Sequence, residues 1–233
     1  MKTLGMLGGM SYESTTIYYD LINQLVNQRL GLSHSANIVM ISFDYYNLEV
    51  LLEKHDWYAL TKTLTDAGLL LKSIGAEGIL LCANTMHIIA EQVEKTIGLP
   101  LIHIAKETLK EAKSHGFKTV GLLGTRYTMT STIYDHDEMN VIKPNDEDMT
   151  TIHNIIYQEL IIGKYLPSSL DKAKKVIERL KQKGAEAIIL GCTELPLLIT
   201  PDSIDLPVLN TLVIHAKAAA EFILSEQMEK SDE

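Results

Sequence analysis

Two cysteines, Cys82 and Cys192, stand where an apolar run gives way to a polar turn, in "GILLCANTMHI" (Gly78 to Ile88) and "AIILGCTELPLL" (Ala187 to Leu198). A helix N-terminus favours an anion and lowers a cysteine pKa toward thiolate, so a thiol there can move a proton or attack a substrate. Cys192, between Gly191 and Thr193, reads as the working thiol, and Asn84, Thr85 and Thr193 as groups that hold a carboxylate beside it. Cys82 ends its apolar run and reads as core packing, the common fate of a free cysteine. The turn "GGMSYEST" (Gly8 to Thr15) offers close backbone approach at its glycine pair, with Met10 and Ser11 as contacts. Its counterpart "GTRYTMTS" (Gly124 to Ser131) offers Thr125 and Thr128, although hydroxyls beside glycine often serve only as helix caps. His87, one turn after Asn84, fits either an orienting residue behind the turn or a satisfied structural histidine. Glu13 and Glu194 sit near expected helix starts, where a carboxylate often only caps.

These turns need strands to carry them. Short apolar runs begin at Thr3, Ala36, Gly78, Pro100, Thr119, Ala187 and Pro207, and each reads as a strand. Between them, stretches such as "WYALTKTLTDAGLLLKSIG" and "DKAKKVIERLKQKG" carry apolar residues at helical spacing and end in glycine. Nearly continuous apolar strands alternating with helices predict a parallel sheet covered on both faces.

The chain also repeats itself. "TLGMLGGM" resembles "TVGLLGTR", "GAEGILLCANT" resembles "GAEAIILGCTE", and "LPLIHI" resembles "LPVLNT", in the same order and at nearly constant spacing. Two pseudo-symmetric open α/β lobes with mainly parallel sheets are therefore expected. Their strand ends would surround a shared cleft, because open α/β sheets bind ligands beyond the carboxyl ends of their strands. Pairing Gly75 with Gly184 carries Ala83, not Cys82, onto Cys192. One step along an extended chain turns a side chain to the opposite side. The first half thus presents alanine where the second presents cysteine.

Bulk properties narrow the function class. The chain has 233 residues, 46% hydrophobic and 22% charged, with a formal net charge of -9. That balance is globular, and the acidity argues against nucleic-acid binding. No signal-peptide pattern and no apolar run long enough to cross a membrane are present, so a cytoplasmic protein with no membrane partner is expected. Two cysteines are too few for a disulfide scaffold, and neither they nor the scattered histidines have metal-ligand spacing. "GMLGGMS" lacks the ending of a phosphate loop and the spaced glycines of a dinucleotide fingerprint. The tail "SEQMEKSDE" reads as disordered.

"GMLGGMSYEST", "CANTMH", "LLGTRYTM" and "GCTEL" resemble the aspartate/glutamate racemase family of cofactor-independent amino-acid racemases, from Thr3 to about Phe222. The resemblance implies two α/β lobes, with residues 1–104 and 211–233 forming the first through a returning C-terminal helix, and 105–210 the second. It implies a small acidic amino acid as substrate, no cofactor and a homodimer. It also implies two cysteines working on opposite faces of the α-carbon. The family's first cysteine directly precedes the Asn of "NT", where this chain has Ala83; patterns that allow one intervening residue would select Cys82 instead. The chain is most similar to the branch specific for L-aspartate and L-glutamate, in which threonine replaces that cysteine. There Cys192 would handle the proton of the L-enantiomer, and Lys164, in "ELIIGKY", would contact the acidic side chain. Two other readings stay open: a single-cysteine isomerase or decarboxylase of the same fold, and an amino-acid-binding pseudoenzyme.

Overall fold

A computed structural model describes residues 1–228, with side chains described as far as residue 225. The chain divides into two compact α/β units, Met1–His103 with the chain from His215 onward, and Ile104–Ile214.

The first unit opens with β1 (Leu4–Gly8), α1 (Tyr12–Leu30), β2 (Ile38–Ser42), α2 (Tyr45–Glu53) and α3 (Trp57–Ser73). It continues through β3 (Gly78–Leu81), a 3-10 turn at Thr85–Ile89, α4 (Ala90–Ile97) and β4 (Leu101–Ile102). Its sheet is parallel, in the order β2-β1-β3-β4. β1 and β3 are central and buried at every residue, whereas β2, at the edge, is only partly covered. Leu7, Leu64, Ile79, Leu81 and Val93 join in the core. Each fully buried Leu or Ile contributes about 1.5–3 kcal/mol relative to exposure.

The second unit contains α5 (Ile104–Ser114), β5 (Thr119–Gly124), α6 (Arg126–Thr130), β6 (Asn140–Ile142), α7 (Asp146–Gln158) and α8 (Pro167–Gln182). β7 (Ala187–Gly191) and β8 (Val208–Asn210) follow, and α9 (Thr211–Met228) begins here and runs on into the first unit. The sheet order, β6-β5-β7-β8, repeats the first, and it is again parallel. β6 was not expected from the sequence. It is a three-residue edge strand within the polar stretch "EMNVIKPN", too short to show a period. The run at Pro100 shortens to two paired residues because α5 starts at Ile104.

The repeat extends to individual bonds. Gly75 and Gly184 adopt φ 101° and 98°, a region open to glycine, and turn each chain from helix to strand. Glu77 N donates to Thr3 O and Glu186 N to Thr119 O, both at 2.9 Å. The same two carboxylates accept from the strand they lean on, Glu77 from Thr3 N and Glu186 from Lys118 N and Thr119 N. The two halves thus share one closure at the amino ends of their strands.

Ser225 to Met228, expected in the disordered tail, continue α9; residues 229–233 of that tail lie outside the described residues. Among the described residues no helix is long and apolar enough to cross a membrane.

Candidate active site

In each unit the candidate residues gather at the carboxyl ends of the two central strands. In the first, β1 ends at Gly8 and α1 starts just beyond, capped by Ser11, whose hydroxyl accepts from Ser14 N at 3.3 Å. Thr15 laces this turn: its Oγ1 accepts from Gly9 N at 2.8 Å and donates to Ser11 O at 2.7 Å. A Cβ on Gly8 would meet Thr15 Cγ2 at 2.4 Å, so the turn needs glycine there. Met10 beside it is buried. On the neighbouring strand end, Cys82 N donates to Leu7 O at 3.0 Å, and the chain passes through Ala83 and Asn84 into the 3-10 turn that opens at Thr85.

Cys82 is fully buried, and burial raises its thiol pKa far above the ordinary value. Ala83 and Cys192, paired by the repeat, are each 7% exposed, against 0% for Cys82. Asn84 and Thr193 are buried beside them, and Thr85 is half-buried.

In the second unit Gly124 and Gly191 lie side by side in the β5/β7 register. A Cβ on Gly124 would stand 2.8 Å from Gly191 O, so the pairing of these strand ends depends on the missing side chain. Thr125 caps α6 by accepting from Thr128 N, and the two hydroxyls lie 3.2 Å apart. Beside them begins the turn of Cys192, Thr193 and Glu194. Cys192 Sγ donates to Glu194 Oε2 at 3.0 Å, and Thr193 Oγ1 donates to the same oxygen at 2.8 Å.

Two expectations change here. Glu194 precedes the 3-10 turn Leu195–Leu197 but its side chain makes no capping bond; it faces the thiol instead. Nor is the Cys192 pKa lowered. The backbone N–H groups of Glu194 and Leu195 do pull it down, yet burial first, and then the Glu194 carboxylate, push it well above the ordinary value. The thiol therefore keeps its proton and holds it against a carboxylate that can receive it, a carboxylate having acceptor sites only.

Lys164 lies apart from both strand-end clusters in sequence. It is exposed, in the stretch after the 3-10 turn Leu160–Ile162, with its backbone N–H on Glu159 O at 2.8 Å. His87 is buried with Nδ1 2.8 Å from Ala83 O, within a group of His103, His215 and Tyr18 that sequence reasoning did not assemble. His103 directly follows β4, whereas His215 and Tyr18 come from distant helices and leave no local pattern.

Two parallel four-stranded sheets of one order, with a thiol–carboxylate pair at a central strand end, define an α/β enzyme built by duplication. The chain belongs to the Asp/Glu/Hydantoin racemase family, whose model matches residues 7–219, and with it to the amino-acid racemases, which are isomerases. It is 25% identical to the broad specificity amino-acid racemase RacX of Bacillus subtilis (strain 168), over 96% of this chain and 99% of that one. A candidate Asp/Glu racemase from Yersinia pestis is similar in structure with a TM-score of 0.91 and 44% identity, covering 96% of this chain and 100% of that one. An aspartate racemase homologue from Pyrococcus horikoshii OT3 gives 0.82 and 29%, covering 96% and 99%.

Proposed function

We propose that the chain exchanges and inverts the α-proton of an acidic amino acid, aspartate or glutamate, without a cofactor, with Cys192 as the acid–base group on one face. The observation that carries this is the Cys192 Sγ–H bond to Glu194 at a strand end. Glu194 accepts the thiol proton, the thiolate takes the α-proton, and the electron pair passes into the substrate carboxylate. Asn84, Thr85 and Thr193 hold that carboxylate as its charge grows, with Met10, Ser11, Thr125, Thr128 and Lys164 as further contacts. A placed donor to such developing charge is worth about 3–4 kcal/mol. Return of a proton to the same face restores the substrate; delivery to the other face inverts it.

Ala83 has no proton to give, and Cys82 is buried with a raised pKa. Water supplies the second proton in this reading, so exchange outruns inversion. Ala83 also favours a second reading, a one-sided isomerase or decarboxylase that protonates an enolate from the Cys192 face alone.

Proton NMR in D2O of L- and D-aspartate and L- and D-glutamate, beside the Cys192→Ala variant, separates them. Loss of the α-proton signal with growth of the opposite enantiomer, absent in the variant, is the expected result. Exchange of the L-forms without inversion favours the one-sided enzyme, and full activity in the variant removes the thiol mechanism. Binding of either amino acid with no exchange at all would mark a chain that holds its ligand and no longer reacts with it.

A further inference from the structure

Behind the Ala83 turn lies a row of rings, buried at Tyr18, His87 and His215 and half-buried at His103, that the reaction does not use directly. His87 Nδ1 is 2.8 Å from Ala83 O; His215, on α9, has Nε2 2.7 Å from Ile102 O and Nδ1 2.9 Å from the Tyr18 hydroxyl. The His87 ring lies 4.8 Å from that of His103 and 5.5 Å from that of His215, centroid to centroid. Among the described residues no three His, Cys, Asp or Glu converge as metal ligands, so the row acts through the bonds it makes.

Those bonds fix protons. A carbonyl oxygen only accepts, so Nδ1 of His87 and Nε2 of His215 carry hydrogen. Burial, with the neighbouring His103 and His215, keeps His87 neutral, and burial does the same for His215. A neutral imidazole has one N–H. The Tyr18 hydroxyl therefore donates to His215 Nδ1. Ile102 O also faces His87, and a carbonyl can accept twice, but the bond with good geometry is the one from Nδ1 to Ala83 O at 2.8 Å, and it takes the single N–H of a neutral His87.

In the second unit the carbonyl of Cys192, the residue paired with Ala83, takes Leu195 N at 3.2 Å. Pro196 occupies the position paired with His87 and has no side-chain donor. The first unit has thus replaced a backbone bond by a histidine at the peptide that leads into Asn84 and Thr85. In a trans peptide the C=O and the next N–H point in opposite directions, so a group that holds Ala83 O also aims Asn84 N–H away from the buried row.

We propose that His87 is a positioning residue for the carboxylate-holding turn, donating from Nδ1 to Ala83 O so that Asn84 and Thr85 are presented to the substrate. The inference rests on the function proposed above, and its test separates the two. Nitrogen-15 NMR of histidine-labelled, unmodified, ligand-free protein should find His87 as the Nδ1–H tautomer with a slowly exchanging proton; the Nε2–H tautomer would overturn the assignment without any substrate. His87→Asn keeps a donor near the Nδ1 place, whereas His87→Gln moves it toward Nε2. KM for the exchanged amino acid should stay within about 3-fold in the first and rise about 10-fold in the second, with kcat changed less, as loss of one bond to a charged ligand implies. Equal KM in both variants, with both folded, would reduce His87 to core packing. A protein that exchanges neither amino acid but shows the Nδ1–H tautomer would sink the racemase reading and leave the hold on Ala83 intact.

Discussion

At the scale of single residues, the pairing of Cys192 with Glu194 makes opposite demands on one carboxylate. Its charge holds the thiol pKa up, yet its lone pairs accept the thiol's hydrogen bond and, in the proposed reaction, its proton. Glu194→Gln should therefore separate two quantities. Alkylation of Cys192 at mildly alkaline pH should speed up as its pKa falls, while α-proton exchange should slow by about 100-fold through loss of the acceptor. Parallel changes in both rates would reject the proton transfer. Ala83→Cys should raise inversion relative to exchange by about 10-fold or more, by placing an acid where the proposed route relies on water; chiral chromatography of the products beside the D2O exchange reads it. Cys82→Ala should leave exchange unchanged and cost about 1–2 kcal/mol in urea unfolding, as for a small buried side chain. The repeat separated Cys82 from Cys192 by register, and the structure gives them different surroundings: Cys82 is wholly enclosed, whereas Cys192 opens a polar turn. The raised Cys192 pKa could not be read from the sequence, since it depends on burial and on a Glu194 rotamer that no spacing specifies.

Among the elements, those with a period or a long apolar run were legible and those held by neighbours were not. "TLGML", "AIILG" and the α3 and α8 segments announce themselves because their side chains meet a core on a regular repeat. β6 owes its strand geometry to β5, and the turn after β3 takes a 3-10 form, neither of which the local residues dictate. The β1 to α1 turn lies between: its glycine pair is visible in the sequence, but its dependence on Thr15 is not. Gly8→Ala should displace Thr15 and cost about 1–3 kcal/mol. A lower urea midpoint together with a raised KM would tie that lacing to Ser11 and the site; an unchanged midpoint would show that Thr15 moves aside freely.

For the molecule as a whole, the buried histidines set an acid limit. Burial pushes the His215 pKa down to about 3, whereas in the unfolded chain it lies near 6.5. Between those values the unfolded state binds the extra proton, so this contribution is complete above pH 6.5 and is lost as the pH falls through the window toward 3. Near pH 4.5 the penalty from His215 is about 2–3 kcal/mol. Urea unfolding of wild type and of His215→Gln at neutral and acid pH should show a smaller acid loss in the variant, and identical losses would remove His215 from the account. The bonds repeated by Glu77 and Glu186 at the amino ends of the strands have a different consequence. Each half is tied at its foot by the same bonds while the crowns differ, Ala-Asn-Thr in one and Cys-Thr-Glu in the other, on a common chassis. Such a chassis lends itself to grafting: a crown exchanged between halves would inherit its footing, provided that it carries its own glycines and the partners that lace them.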